Sequence, residues 1–382
     1  MTTPPQTTPR RATITDVARE AGTGKTSISR YLNGEMSVLS PELRARIEGA
    51  IARLDYQPNQ MARGLKRGRN RLIGMLLADL TNPYTVEVLQ GVEAACHALG
   101  LMPLICHAAN EVEMERRYLQ LLTTYRVEGV IVNALGVREE TLRPVGEGGI
   151  PAVLVDRLVD GLSADMVGLD NRAAAELGTR HLLEQGFDDI WFVVQPFEQV
   201  SSRHLRERAF RDAMRAQDGA RAHTLVLDLA DPAALEGSLA ELDRAIEANA
   251  GERCAGTSGN AGSAGSTNNA ADAGAAGTAG AAPTAGTPSR VALFAANAPV
   301  ALRLALHLKA RYGAGWQTRV ALLSIDDPDW AELAGITTIR QPTYEIGYRA
   351  VEFLHERIEG LKSTARDCLL PGDLIVRAST SR

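Results

Sequence analysis

The sequence predicts an all-α headpiece with a hinge helix, followed by an α/β core of two doubly wound, parallel-sheet lobes. Two observations lead to this prediction. Apolar residues recur at helical spacing up to about Leu54, whereas beyond Arg71 strand-like apolar runs alternate with amphipathic helices. In the second region the order of elements repeats after about Asp170, which indicates two similar lobes with a cleft between them.

The headpiece begins with two short helices joined at a glycine. Apolar residues between Ile14 and Ala21 follow helical spacing, Gly22 interrupts the pattern, and Ile28 and Leu32 resume it. This is the arrangement of a helix-turn-helix unit, whose second helix can enter the major groove of DNA. Ser40-Pro41-Glu42 supplies an N-cap, a first-turn proline and an acid, so a third helix is predicted to follow.

The charge distribution favours a nucleic-acid contact at the N-terminal end only. Residues 1–71 carry a net charge of +7 and the remaining residues −12. Residues 58–70 are predicted to form a basic hinge helix, too short to be stable alone in water, that folds on DNA with Leu65 wedged into the minor groove. An ordinary basic linker is the alternative.

The predicted domain division follows these changes in pattern. Residues 255–289 consist almost entirely of Ala, Gly, Ser, Thr and Asn, so we predict a disordered surface insertion there. The predicted segments are a disordered leader (1–12), the helix-turn-helix domain (13–57), the hinge (58–70) and the core (71–382), with lobe 1 at about 71–167 and 342–367 and lobe 2 at about 168–341 and 368–382.

Several classes of protein are disfavoured. No apolar run reaches the roughly 18 residues of a membrane helix, and the polar segment Met1 to Pro9 is no secretory signal, so we expect a cytoplasmic protein. The four cysteines and seven histidines are scattered, which argues against a metal site. Gly24-Lys25-Thr26 resembles the end of a phosphate-binding loop, but Arg19 stands where that loop needs a glycine. We expect neither an enzyme nor a bound cofactor.

From Thr13 to about Arg377 the chain resembles the LacI/GalR family of bacterial transcriptional regulators. The matching runs are ITDVAREAG, SISRYLNG, LDYQPNQMARGL, NPY, RVEGVIV, VGLDN, FAAN and TTIRQP. The resemblance implies a core like that of periplasmic binding proteins, whose lobes close on a small metabolite. It also implies a homodimer or tetramer whose paired headpieces bind a near-palindromic operator in double-stranded DNA. No leucine-heptad tail follows LLPGDLIVRAS, so we expect the homodimer.

The resemblance implies eight DNA-contacting residues. Three face bases in the major groove, one hydroxyl meets a phosphate or a base, two polar side chains meet phosphates, one aromatic ring lies beside the backbone, and one leucine enters the minor groove. In that order they are Lys25, Thr26 and Arg30; Thr13; Ser29 and Asn33; Tyr56; and Leu65. Arginine can bind guanine bidentately. For Ser29, a hydrogen bond to its own helix is an equally good alternative.

The resemblance also implies an effector site of short polar groups and one guanidinium, which suit hydroxyls and a carboxylate. Its positions are Tyr84, Thr85, Asp156, Ser202, Arg206, Asn297, Asp326 and Gln341. The chain departs from the family at Ala298, where an aspartate is usual, so one acidic contact is missing. For Asp326 or Asp170 taken alone, capping at a strand end is the alternative role.

A closer resemblance is to the 2-ketogluconate-responsive repressors of pseudomonads, carried by runs such as GTGKTSISRYLNGE and NPYTVEVLQGVEAAC. It implies a repressor of a sugar or sugar-acid operon that leaves its operator when it binds a sugar acid such as 2-ketogluconate, with the ligand's carboxylate paired to Arg206. Two alternatives stay open: a family member that responds to a neutral sugar or a purine, and a periplasmic-type sugar-binding protein, against which the headpiece argues.

Overall fold

The computed structural model describes residues 10–58, 69–133, 149–157, 163–197, 200–257 and 290–381. The chain divides after Arg71 into two compact units, the headpiece and the core. None of the helices in these ranges is both long enough and apolar enough to cross a membrane. Of the predicted segments, most of the leader, the hinge from 59 to 68 with Leu65, and residues 258–289 of the insertion lie outside the described residues.

The headpiece contains the three predicted helices, α1 (Ile14–Glu20), α2 (Lys25–Leu32) and α3 (Pro41–Arg53). Gly22, between α1 and α2, has a φ of +61°, a left-handed conformation that favours glycine over other residues. One fully buried side chain from each helix, Val17, Ile28 and Ile47, forms the centre of the core. The predicted helix-turn-helix is therefore confirmed.

The core alternates strands and helices as the sequence predicts. In chain order its elements are β1 (Leu72–Leu77), α4 (Pro83–Leu99), β2 (Met102–His107), α5 (Val112–Thr124), β3 (Gly129–Asn133), β4 (Ala152–Val155), β5 (Asp165–Leu169), α6 (Asn171–Glu184), β6 (Asp189–Val194), α7 (Ser201–Arg215), β7 (Arg221–Val226), α8 (Pro232–Thr257), β8 (Val291–Ala295), α9 (Ala298–Tyr312), β9 (Val320–Ile325), α10 (Asp329–Leu333), β10 (Thr337–Arg340), α11 (Thr343–Ile358), β11 (Asp367–Leu370) and β12 (Asp373–Ile375).

These strands form two six-stranded sheets, one in each lobe. The first has the order β11-β5-β4-β3-β1-β2 and is entirely parallel. The second has the order β12-β10-β9-β8-β6-β7, in which only the β10–β12 pair is antiparallel. The central strands are buried along most of their length, as parallel sheets covered by helices require. Two doubly wound lobes are thus confirmed.

The first sheet extends two or three residues beyond the approximate lobe boundaries predicted from the sequence. β5 pairs with β11 from Met166 to Leu169, with Leu169 opposite Leu370. The chain therefore leaves lobe 1 after residue 169 rather than 167, and it leaves it again after residue 370 rather than 367. The parallel pairing of β5 with β11 joins strands that lie far apart in the sequence, so local sequence patterns do not reveal where it ends.

Two helix boundaries in lobe 2 have local causes. α6 begins at Asn171, because Asp170 is its N-cap and accepts a hydrogen bond from the backbone N–H of Ala173 (2.9 Å). α8 continues through residues 255–257, so the first three residues of the predicted disordered insertion are helical. Ala255 has a high helix propensity, and extending a helix that is already formed costs less than starting one.

α4 and α11 cross in lobe 1 at a pair of glycines. A Cβ atom on Gly91 would lie 2.0 Å from the carbonyl oxygen of Tyr344, and one on Gly347 would lie 2.0 Å from that of Val88. Only glycine permits this approach of two helix backbones. Near the crossing, the hydroxyl of Thr343 donates a hydrogen bond to Glu87 (2.6 Å). Both helices begin at the cleft, so the contact between them fixes one wall of the candidate site.

Candidate functional site

All eight predicted effector side chains line one cavity in the cleft between the lobes. The cavity has a volume of about 100 Å³ and is partly open to solvent. The side chains lie where strands end or helices begin, which is where open parallel sheets bind ligands. Tyr84 and Thr85 belong to the first turn of α4; Asp156, Asp326 and Gln341 follow β4, β9 and β10; Ser202 and Arg206 lie on α7; and Asn297 is the N-cap of α9.

Arg206 is held by neighbours on three sides. Its Nε donates a hydrogen bond to Oδ1 of Asn171 (2.6 Å) and its Nη1 donates one to the carbonyl oxygen of Ala296 (2.7 Å). Its Nη2 lies 3.8 Å from a carboxylate oxygen of Asp156. Ser202, one helical turn away, donates a long hydrogen bond to the other oxygen of Asp156 (3.5 Å). Only 5% of Arg206 is exposed, so its charge acts inside the cleft.

Asp326 connects the start of α9 with Gln341, which follows β10. Its carboxylate accepts hydrogen bonds from the backbone N–H of Ala298 (2.9 Å) and from Nε2 of Gln341 (2.5 Å). Burial raises the pKa of Asp326, although Arg206 and these two donors act in the opposite direction. Asp326 therefore contacts the first residue of α9, whose N-cap is Asn297, and it also lines the cavity.

Three polar atoms on the cavity wall are buried and have no hydrogen-bond partner among the described residues. They are the hydroxyl of Tyr84, Oδ1 of Asp156 and Oε1 of Gln341. Burial also raises the pKa of Tyr84 well above its usual value, so the hydroxyl stays protonated and can donate a hydrogen bond. Unsatisfied buried polar groups cost free energy, and a polar ligand that bonds them removes that cost.

Further residues that the sequence analysis did not select also line this cavity. Asn133, Arg157 and Gln195 lie at or directly after the ends of β3, β4 and β6. Asn133 is fixed by a hydrogen bond to the carbonyl oxygen of Val155 (3.2 Å). Arg203 lies in the first turn of α7. The positions of Asn133, Arg157 and Gln195 at strand ends could have identified them from the sequence. Comparison with family positions alone does not identify them.

The headpiece presents one face of α2 outward. Lys25, Thr26 and Arg30 are exposed and Ser29 is half-buried, whereas Ile28 on the opposite face is fully buried. This spacing places the four polar side chains on a common helical face.

Three of the other predicted DNA-contacting residues, Thr13, Asn33 and Tyr56, are half-buried in the headpiece, whereas Leu65 lies outside the described residues. The hydroxyl of Thr13 donates a hydrogen bond to Asp16 (2.6 Å) as part of the α1 cap. Asn33 lies at the end of α2, and its amide donates to Glu35 (3.3 Å), which also lies 4.0 Å from Arg30. Tyr56 packs against the headpiece core. Glu35 had not been singled out from the sequence.

Family models cover both units of the chain. Residues 13–59 match the model for bacterial regulatory proteins of the lacI family. Residues 70–232 match the model for periplasmic binding proteins and the sugar binding domain of the LacI family, and residues 179–380 match a periplasmic binding protein-like domain.

Curated relatives match along nearly the whole chain. The HTH-type transcriptional regulator PtxS of Pseudomonas aeruginosa is 40% identical over 372 residues, which are 97% of this chain and 96% of PtxS. The HTH-type transcriptional regulator KdgR of Bacillus subtilis is 30% identical over 372 residues, which are 96% of this chain and 97% of KdgR.

The fold also matches solved structures. A lac repressor dimer bound to operator and the anti-inducer ONPF has a TM-score of 0.74 at 21% identity and covers 98% of this chain and 100% of its own. A complex of the transcriptional regulator CelR with cellobiose has a TM-score of 0.60 at 23% identity and covers 97% of this chain and 100% of its own. With the family models and the curated relatives, these matches lead to one conclusion: the chain belongs to the LacI family of bacterial regulatory proteins and is a DNA-binding transcriptional regulator.

Proposed function

We propose that this regulator is a repressor of a sugar or sugar-acid operon, which binds a near-palindromic operator as a homodimer and leaves it when a small sugar acid binds between the lobes. The observation that carries the proposal is the convergence of eight polar side chains on one cavity of a regulator whose headpiece presents a polar helix face. A protein with this role acts in the cytoplasm, where bacterial DNA lies.

Operator recognition is assigned to the outward face of α2. Two headpieces in a dimer reach adjacent major grooves when the half-sites lie about one helical turn apart. Lys25, Thr26 and Arg30 are the proposed base readers, while Thr13, Ser29, Asn33 and Tyr56 meet the DNA backbone. The proposed minor-groove contact of Leu65 lies outside the described residues.

Replacing Arg30 with alanine is expected to weaken operator binding by about 1–3 kcal/mol and to relax the preference at one base pair of each half-site, because a bidentate contact to guanine is lost. Duplexes selected from a random pool by the wild-type and variant proteins measure both effects. Arg19→Ala is the matched control, since Arg19 is an exposed arginine on α1 rather than on the proposed reading helix. Unchanged affinity and site preference in the Arg30 variant would show that another face reads the DNA.

A sugar acid fits the cavity better than a purine does. Purines are usually held by stacking on aromatic rings, and Tyr84 is the only aromatic residue among the described residues that line the cavity. The wall is otherwise rich in amides, hydroxyls, carboxylates and guanidinium groups, which suit a polyhydroxylated ligand. The sequence resemblance to 2-ketogluconate-responsive repressors also favours this class of effector.

Calorimetric titration with 2-ketogluconate, gluconate and glucose distinguishes the proposed effector class from its main rival, a neutral sugar. We expect at least one of the two acids to bind more tightly than glucose, because the cleft contains arginine side chains that can bind a carboxylate. Tight binding of glucose with no response to either acid would contradict the sugar-acid proposal, and the assignment to the LacI family would be unaffected.

A further inference from the structure

Asn171 is a buried polar residue behind the candidate site, at the first position of α6. Its Oδ1 accepts the hydrogen bond from Nε of Arg206 (2.6 Å). Its Nδ2 donates a hydrogen bond to the carbonyl oxygen of Leu169 (3.2 Å), the last residue of β5. Asn171 itself does not line the cavity, so it can act on a ligand there only through Arg206.

The chemistry of its two neighbours fixes the orientation of the Asn171 amide. The Nε–H group of Arg206 can only donate, so the amide atom that faces it is the oxygen. The carbonyl oxygen of Leu169 can only accept, so the amide atom that faces it is the nitrogen. Both contacts require the same orientation, and they tie Arg206 to the point where the chain first passes from lobe 1 to lobe 2.

The three nitrogens of the Arg206 guanidinium have different surroundings. Nε is bonded to Asn171, and Nη1 is bonded to the carbonyl oxygen of Ala296 (2.7 Å). Nη2 lies 3.8 Å from Oδ1 of Asp156. A hydrogen bond between a guanidinium and a carboxylate is about 2.7–2.9 Å long, so the Nη2–Oδ1 distance is too long for one. Nη2 is therefore the nitrogen that is left to donate to a ligand.

The carboxylate on the other side of this gap is also held apart. Oδ1 of Asp156 is buried and has no hydrogen-bond partner among the described residues, and Oδ2 accepts only the long bond from Ser202 (3.5 Å). The side chains of Arg206 and Asp156 are only 6% and 12% exposed, so their attraction is weakly screened. A guanidinium free to turn would move onto Oδ1, and the two groups would then satisfy each other. The short bonds to Asn171 and Ala296 oppose this movement.

We propose that Asn171 is a positioning residue of the effector site: it holds the guanidinium of Arg206 back from Asp156, so that Nη2 and Oδ1 stay available to a ligand as a donor and an acceptor. The inference rests on the proposed role of the cavity as the effector site. A donor and an acceptor that are already separated spare the ligand the cost of breaking a closed ion pair, and such preorganisation increases affinity.

Crystal structures of the ligand-free wild type, Asn171→Ala and Asn171→Asp proteins test the positioning directly. In Asn171→Ala, Nη2 of Arg206 should approach Asp156 to hydrogen-bond distance, about 2.7–2.9 Å. Asn171→Asp keeps an acceptor for Nε in the same place, so its guanidinium should stay apart from Asp156 as in the wild type. An Arg206 side chain that does not move in Asn171→Ala would overturn the proposal.

Calorimetry of the full-length protein with 2-ketogluconate tests the consequence for binding. Asn171→Ala should weaken binding by about 10- to 100-fold, the effect of losing hydrogen bonds to charged groups, and Asn171→Asp should weaken it less. Arg172→Ala should bind as the wild type does. Arg172 is the exposed neighbour in the first turn of α6 and does not line the cavity, so it is the matched control.

A double-mutant cycle separates positioning from support of the fold. When Arg206 is already alanine, the further change Asn171→Ala should alter the affinity by less than about twofold, because Asn171 acts through Arg206. Equal losses in both backgrounds would overturn the proposal. Failure of the wild type to bind 2-ketogluconate would contradict the sugar-acid effector alone, and the distance between Nη2 and Asp156 in the ligand-free structures would still decide the role of Asn171.

Discussion

Replacing Asp165 with asparagine is expected to lower the free energy of unfolding of the core by about 3–5 kcal/mol, the range for breaking a buried ion pair by removing one partner. The Asp165 side chain is fully buried at the start of β5. It accepts hydrogen bonds from Nε and Nη2 of Arg357 (2.9 and 2.6 Å) and from Nη2 and the backbone N–H of Arg366 (2.8 and 2.9 Å). The substitution removes the charge that both guanidinium groups require.

Urea denaturation of the two proteins measures this loss, and Glu356→Gln is the control. Glu356 also pairs with Arg366 (2.6 Å), but its side chain is 48% exposed, so its removal should cost no more than about 1 kcal/mol. Equal losses in the two variants would contradict the special role of the buried carboxylate.

The same interaction gives a pH dependence. Burial alone would raise the pKa of Asp165, but the hydrogen bonds from Arg357 and Arg366 outweigh it and lower the pKa from 3.8 to about 2. A lowered pKa in the folded state means that this stabilisation is fully present above the ordinary value and is lost as the pH falls towards 2. The stability difference between wild type and Asp165→Asn should therefore shrink over that interval.

Arg206→Ala is expected to weaken effector binding roughly 30-fold or more, because truncating one member of a buried, hydrogen-bonded charge pair costs about 2–5 kcal/mol. The variant loses the contacts to Asn171 and Ala296 and leaves Asp156 buried without its cation. Calorimetry with the best wild-type ligand measures the loss.

Arg206→Lys keeps the charge without the planar fork of donors, so its affinity should lie between those of wild type and Arg206→Ala. Arg215→Ala, at the exposed end of the same helix, should bind the ligand as wild type does. An Arg206→Ala variant that binds with wild-type affinity would place the ligand elsewhere than in this cavity.

Local patterns predicted much of this fold. Helical spacing, the break at Gly22 and the Ser40 cap located the three headpiece helices, and the repeated strand–helix order predicted two parallel-sheet lobes. The sequence pattern did not predict features that depend on contacts between residues far apart in the chain. The pairing of Leu169 with Leu370, and of Asp165 with Arg357, joins segments that no local pattern relates.

The residues of the candidate site were also predicted only in part. Family positions identified eight residues that the structure brings to one cavity, but they did not include Gln195 or Arg203. From the sequence, the ligand's carboxylate was expected beside Arg206, because Arg206 is the cation at a family position. The proximity of Arg206 to Asp156, which lies 50 residues earlier in the chain, depends on how β4 and α7 face each other across the cleft. Spacing alone does not reveal such a charge pair.

The most direct test of the central claim measures operator affinity with and without effector, by fluorescence anisotropy of a labelled duplex selected by the protein. We predict that a saturating sugar acid weakens operator binding by at least about fivefold, and that the operator weakens effector binding by the same factor, as linkage between two sites requires. At the sugar-acid concentration that just saturates the wild type, Arg206→Ala should show a smaller loss of operator affinity, because less of it is bound to effector. A ligand that binds tightly in the cleft and leaves operator affinity unchanged would contradict the account of an effector-controlled repressor.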